Sequence, residues 1–253
     1  MNKLIIVALI ALVSVASACS NTQYKTAAPV IVKTLADLTQ QERTLHETKM
    51  QEIIDLSHKL VAAGQITAIF TASIVDPATG KTLCMTGNNG ARASILHGET
   101  NVILNCSDTY PGRSWKDHYL YTTGEPCPMC QSAIMWSGFQ KVIYATSIKT
   151  LYCDKCMTQI LIDSNVVTGY GYGLETYNAA YTPLEIIGGV LANVTDNTVF
   201  ENYCVNKTFW TSKTPLCNAD YNPKGCSSAI ALGSNMYMTV FVALVALIAS
   251  LAL

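Results

Sequence analysis

TGEPCPMCQSAIMW, Thr123 to Trp136, holds two cysteines three positions apart, Cys127 and Cys130, between prolines and an apolar run. The run reads as a helix that opens at the cysteines and stops at Gly138, with Pro128 in the first turn, where proline is tolerated. Residues three apart on a helix share a face, so both sulfurs can reach one partner. Taken alone, the pair fits a disulfide, a redox couple or half of a metal site.

Upstream, Leu96 to Thr100 reads LHGET and places His97 and Glu99 two positions apart. The joined pattern is H-x-E, then 28 positions from Glu99 to Cys127, then P-C-x-x-C. His97 opens one helix directly after a loop, as the cysteines open another. Helix starts carry partial positive charge and favour thiolates. Two such starts on one sheet edge can converge on one ion. One nitrogen and two sulfurs leave a fourth tetrahedral position open for water, as a catalytic zinc requires. Glu99 is not needed as a ligand and can carry a proton from that water. Each piece has an ordinary alternative: a surface histidine, a first-turn glutamate favoured by the helix dipole, a disulfide. Jointly they are read as a Zn2+ site with ligands His97, Cys127 and Cys130 and with Glu99 as the catalytic carboxylate.

The surrounding pattern supplies the frame. Leu38 to Ala63 reads as a helix, with Thr39 and Glu42 as a capping box and Leu45, Met50, Ile53, Ile54, Leu56 and Leu60 as its apolar stripe. Ile66 to Asp76 reads as a buried strand, DPATGK as a turn, and Thr82 to Thr86 as the hairpin partner. Ile95 to Ser107 reads as a helix, His118 to Thr123 as a strand, and Lys141 to Ser147 as a strand. A short helix is expected over Cys156 to Val166 and a short last strand over Pro183 to Val190. Alternation of helix and strand implies crossover connections and locally parallel strands. The expected fold is α/β: a three-layer α/β/α sandwich around a mixed sheet of about five strands.

At HGE and EPCPMCQSAIMW the chain resembles the cytidine/deoxycytidylate deaminase superfamily. The resemblance runs from about Leu60 to Ile187 and includes KVIYATS and LYTT. It is nearest the branch of guanine, fungal cytosine and tRNA adenosine deaminases. It implies zinc on His97, Cys127 and Cys130, with Glu99 shuttling the proton while an amine on a ring carbon is replaced by oxygen and leaves as ammonia. It also implies an asparagine before the histidine that touches the base. Asn88 in TGNNG is the expected counterpart, with Asn89 as the second choice and a plain turn as the alternative. Relatives are often oligomers, so a homo-oligomer is expected on that basis alone.

The ends read as addresses. Residues 1–18 have the basic start, apolar core and small-residue cleavage site of a signal peptide. Residues 229–253 end in an apolar tail, with small residues and a spacer upstream, the pattern of a GPI attachment signal near Ser227 or Ser228. A C-terminal transmembrane helix is the alternative. Between them lie an N-terminal segment, 19–38, a deaminase domain, 39–191, and a polar cysteine-bearing extension, 192–228. Ten cysteines fit disulfides in an exported chain. Cys204, Cys217 and Cys226 are read as disulfide-bonded, and Cys153 and Cys156 as a small disulfide or as pairing elsewhere. Sequons at Asn193 and Asn206 are expected to carry glycans, and one at Asn105 inside a helix is not. Thr168 to Asn178, rich in Gly and Tyr, is read as a surface loop rather than an aromatic wall over a pocket.

With 16 basic and 17 acidic residues and no basic run, a large nucleic-acid ligand is disfavoured. The expected partner is a small nucleobase or nucleoside, with a membrane reached through the C-terminus. Three competing readings stay open: a tRNA substrate, an anchored binding protein that keeps the fold without turnover, and thiol–disulfide exchange at Cys153 and Cys156.

Overall fold

The chain enters its sheet through a strand that the apolar pattern does not announce. β1 (Ile31–Lys33) pairs in parallel with β6 (Glu185–Ile187), and Glu185 takes ion pairs from Lys33 at 3.0 Å and Lys141 at 2.7 Å. The computed structural model describes residues 30–65, 69–172, 184–201 and Cys217. All fall in a compact unit that runs from Thr26 to Cys217.

α1 (Gln40–Ala62) starts where its capping box puts it. Thr39 Oγ1 accepts from the Glu42 amide at 3.3 Å, and a Glu42 carboxylate oxygen accepts from the Thr39 amide at 2.9 Å. β2 (Thr71–Asp76) and β3 (Lys81–Gly87) form the expected hairpin. Then come α2 (Gly98–Thr109), β4 (Tyr119–Gly124), α3 (Pro128–Ser137) and β5 (Lys141–Thr146). α4 (Ile148–Cys153), α5 (Ser164–Tyr172), β6 and the short α6 (Ala192–Val194), which runs into a wide helical turn over Thr195–Val199, complete the described chain.

The six strands lie in the order β1-β6-β5-β4-β2-β3. β1, β6, β5 and β4 are parallel; β2 runs antiparallel to both β4 and β3. Strand alternation divides the core. Leu120, Val142 and Ile186 join Val102 of α2, Cys106 of α2 and Ile134 of α3 on one face. Tyr121, Ile143 and Ile187 join Met50, Ile53 and Ile54 of α1, Leu151 of α4, Val199 and Phe200 on the other. This is the three-layer sandwich, with one more strand than the sequence counts.

Two local expectations are corrected. No helix spans Cys156 to Val166: α4 ends at Cys153, α5 begins at Ser164, and Cys156 adopts a left-handed backbone, φ 58°. Nor is the Gly/Tyr stretch a loop from its start, because Thr168 to Tyr172 form the end of α5 and the remainder lies outside the described residues. Gly171 of α5 faces α3, where a Cβ would meet the end of the Met135 side chain.

Cys84 of β3 bonds Cys106 of α2, a link that spacing does not reveal. Cys153 bonds Cys217, and Cys156 is also disulfide-bonded, so the second C-x-x-C does not close on itself as a redox pair. Cys204 and Cys226 lie outside the described residues.

Under α1, His46 is 1% exposed and its Nδ1 lies 2.8 Å from the Tyr121 hydroxyl. Burial, reinforced by the Lys141 charge, depresses its pKa from 6.5 to about 4. The unfolded chain therefore binds the extra proton first as pH falls, and stability is lost between about 6.5 and 4. On the order of 3 kcal/mol goes in that window. Thermal unfolding across pH 4–7 is expected to show the loss, and His46→Gln to flatten it.

Candidate metal centre

The site forms at the sheet edge where β4 ends and β2 begins. These ends coincide because the two strands are antiparallel, with Ala72 opposite Thr122. β4 delivers Glu125, Pro126 and Cys127; Cys127 is the N-cap of α3, and Pro128 holds its first turn. His97 is the N-cap of α2. Neither cap residue uses its side chain to cap its helix, which leaves both side chains to face one another.

His97 Nδ1 lies 3.6 Å from Cys127 Sγ and 3.6 Å from Cys130 Sγ. The three ligand atoms lie within 4.8 Å of one another. Ligand atoms around a tetrahedral zinc, at ~2.0–2.1 Å for nitrogen and ~2.3 Å for sulfur, stand about 3.6 Å apart. Cys127 and Cys130 are the free thiols among the described residues, and both are buried. The donor set and its spacing thus fit a zinc ion. A hydrogen bond from Cys130, with His97 adding to it, lowers the Cys127 pKa to about 4. The Cys127 thiolate and burial together push Cys130 up.

Glu99 sits on the first turn of α2 with its carboxyl buried, the residue 3% exposed. Burial pushes that carboxyl above the ordinary carboxylate range.

Gly98 between them has a packing reason. A Cβ there would lie 3.0 Å from the Phe70 carbonyl oxygen and 3.3 Å from the Thr71 carbonyl carbon. Backbone just ahead of and at the start of β2 therefore runs directly beneath the first turn of α2. Phe70 also lays its ring against Gly124, where a Cβ would meet it at 2.7 Å. It touches both halves of the site, and nothing in the sequence marks it. Gly98→Val is expected to push His97 and Glu99 off the sheet edge. Metal content after dialysis and Tm should both fall, against an unchanged secondary-structure spectrum.

Asn88 and Asn89 separate cleanly. Asn89 closes the loop: its amide donates to Leu96 O at 2.7 Å, and its Oδ1 accepts from the Arg92 amide at 3.3 Å. Asn88 donates its amide to Phe70 O at 2.9 Å, while its Oδ1 is buried and has no partner among the described residues. Asn193 is exposed on α6. Asn206, Ser227, Ser228, the signal segment and the apolar tail lie outside the described residues, among which no helix is long and apolar enough to cross a membrane.

Comparison with known proteins agrees with this geometry. Residues 43–146 match the family model for the cytidine and deoxycytidylate deaminase zinc-binding region. That stretch, which holds His97, Glu99, Cys127 and Cys130, is thus similar to the zinc-binding region of those deaminases. It is similar to the cytosine deaminase of Candida albicans, 36% identical over 67 residues, 26% of this chain and 44% of that protein. It is similar to the guanine deaminase of Bacillus subtilis, 34% identical over 103 residues, 40% of this chain and 64% of that protein. The chain thus spans less than two thirds of either. A probable cytosine deaminase of Schizosaccharomyces pombe is 27% identical over 167 residues, 64% of this chain and 90% of that protein. Among solved structures, a mutant of NE0047 in complex with 8-azaguanine shares the fold, with a TM-score of 0.52 at 19% identity over 63% of this chain and 85% of that one.

Proposed function

We propose that the protein removes an amine hydrolytically from a small nucleobase or nucleoside, guanine or cytosine type, releasing ammonia. The observation that carries this reading is the convergence of His97, Cys127 and Cys130 with a buried Glu99 beside them. Zinc in that site would supply the Lewis acidity that makes a water acidic near neutral pH. His97, Cys127 and Cys130 would hold it. Glu99 takes one proton from the attacking water and delivers it to the ring nitrogen, then takes the second from the added hydroxyl and gives it to the departing amine. Water and the amino base thereby become the oxo base and ammonia. Asn88 contributes recognition: its unpartnered Oδ1 suits an N–H donor on the base edge. The similarity to proteins named as cytosine and guanine deaminases supports the substrate class.

Export to the cell surface, with GPI-type anchoring near Ser227 or Ser228 and glycans at Asn193 and Asn206, belongs to the same reading. The Cys84–Cys106 and Cys153–Cys217 disulfides support an oxidising compartment. The balanced charge continues to speak against tRNA.

The test is ammonia release by the purified full chain against a panel of free bases and nucleosides, with zinc content measured alongside. Turnover of one member identifies the substrate. Bound zinc without turnover on any member would replace this reading with a retired site used for binding.

A further inference from the structure

A buried polar circuit closes around the two cysteines. Glu125, two residues before Cys127, is 6% exposed, and its carboxylate serves two helices. One oxygen accepts from the Ile148 amide at 2.9 Å, at the start of α4. The other accepts from the Ser164 amide at 2.8 Å and the Ser164 hydroxyl at 2.7 Å, at the start of α5. One turn along α5, the Thr168 hydroxyl donates to Ser164 O at 2.8 Å. Thr168 has only that proton to give, so Gln131 Nε2 must be the donor in the 2.8 Å bond that returns to α3. Gln131 directly follows Cys130. Ser164, Thr168 and Gln131 are 1%, 0% and 0% exposed.

The chain between the two anchors, residues 125–131, contains both thiols. Its far side is braced as well, because the Glu125 amide donates to Thr146 O at 2.7 Å. Burying a carboxylate is costly, and the three donors that meet it offset that cost. What the carboxylate supplies is a fixed position, since three donors from two helices determine where residue 125 sits.

We propose that Glu125 is a positioning residue of the metal centre, acting with Ser164, Thr168 and Gln131 to hold Cys127 and Cys130 at the separation the ion requires. This rests on the reading of His97, Cys127 and Cys130 as a zinc site. Glu125 touches none of the three; it sets where two of them stand. Glu125→Gln turns one acceptor into a donor facing a helix-start N–H, and so breaks the circuit at the carboxylate. Thr168→Val breaks it on the opposite side with little change of shape and leaves Glu125 in place.

The experiment loads the full chain and each variant with Co2+ and records the visible absorption of the ion in its ligand field. It then measures the rate at which a chelator strips bound Zn2+. Zinc is expected to leave about tenfold faster from Glu125→Gln and faster, by a smaller factor, from Thr168→Val. Both variants should show altered cobalt bands while keeping the parent's Tm in the metal-free form to within a few degrees. Wild-type cobalt bands and zinc release in both variants would overturn the positioning role. A parent chain that binds neither ion would instead remove the zinc reading, and this inference with it.

Discussion

Glu99→Gln is expected to lower ammonia release about a thousandfold while one zinc per chain remains bound. The amide has nearly the shape of the carboxyl but cannot accept a proton from water or return it to the leaving amine. Glu99 is 3% exposed, so bulk buffer has poor access to replace it. It is also outside the ligand set, so metal content should not follow activity downwards. Steady-state ammonia assays with metal analysis on the same preparations check this. Undiminished turnover would remove Glu99 from the chemistry, and loss of zinc would make it a ligand.

Cys130→Ser is expected to reduce bound zinc from one equivalent to less than about a tenth after dialysis. Cys130 is fully buried and its Sγ lies 3.6 Å from His97 Nδ1, and a serine hydroxyl is a much weaker zinc ligand than a thiolate. Metal binding stabilises the folded state only when a site exists. A chelator should therefore lower the Tm of the parent chain and leave that of Cys130→Ser unchanged. A Tm indifferent to the chelator in both proteins would show that the ligand cluster contributes nothing to the fold.

What could be read in the sequence was whatever lay on one helix face or one helix start. His97, Glu99, Cys127 and Cys130 were legible because first-turn positions carry their geometry in their spacing. The capping box at Thr39 and Glu42 was legible for the same reason. β1 was not, because three residues with half-exposed Ile31 and Val32 leave no alternation to detect. The break between α4 and α5 was hidden because Cys156 bends under a tertiary constraint rather than at a glycine or proline. Cys84 and Cys106 sit on separate elements, so nothing local announces their bond. Asn88 and Asn89 are chemically equal in the sequence, and only the loop's own hydrogen bonds assign one to the turn and free the other. Phe70 and Glu125 work through contacts with distant residues; the single sign of Glu125 was an acid placed in an otherwise apolar motif.

Cys127 and Cys130 remain thiols in a chain whose Cys84, Cys106, Cys153, Cys156 and Cys217 are all oxidised. During maturation the oxidants that close those links also meet these two neighbouring sulfurs, where the hydrogen bond from Cys130 favours the thiolate form of Cys127. On the zinc reading, metallation and oxidation compete for one pair of atoms. A chain refolded in an oxidising buffer without zinc should accumulate scrambled, inactive isomers, and one refolded with zinc from the outset should not. Metal supply in the compartment where the protein matures would then govern how much usable protein is made, as well as how active each molecule is.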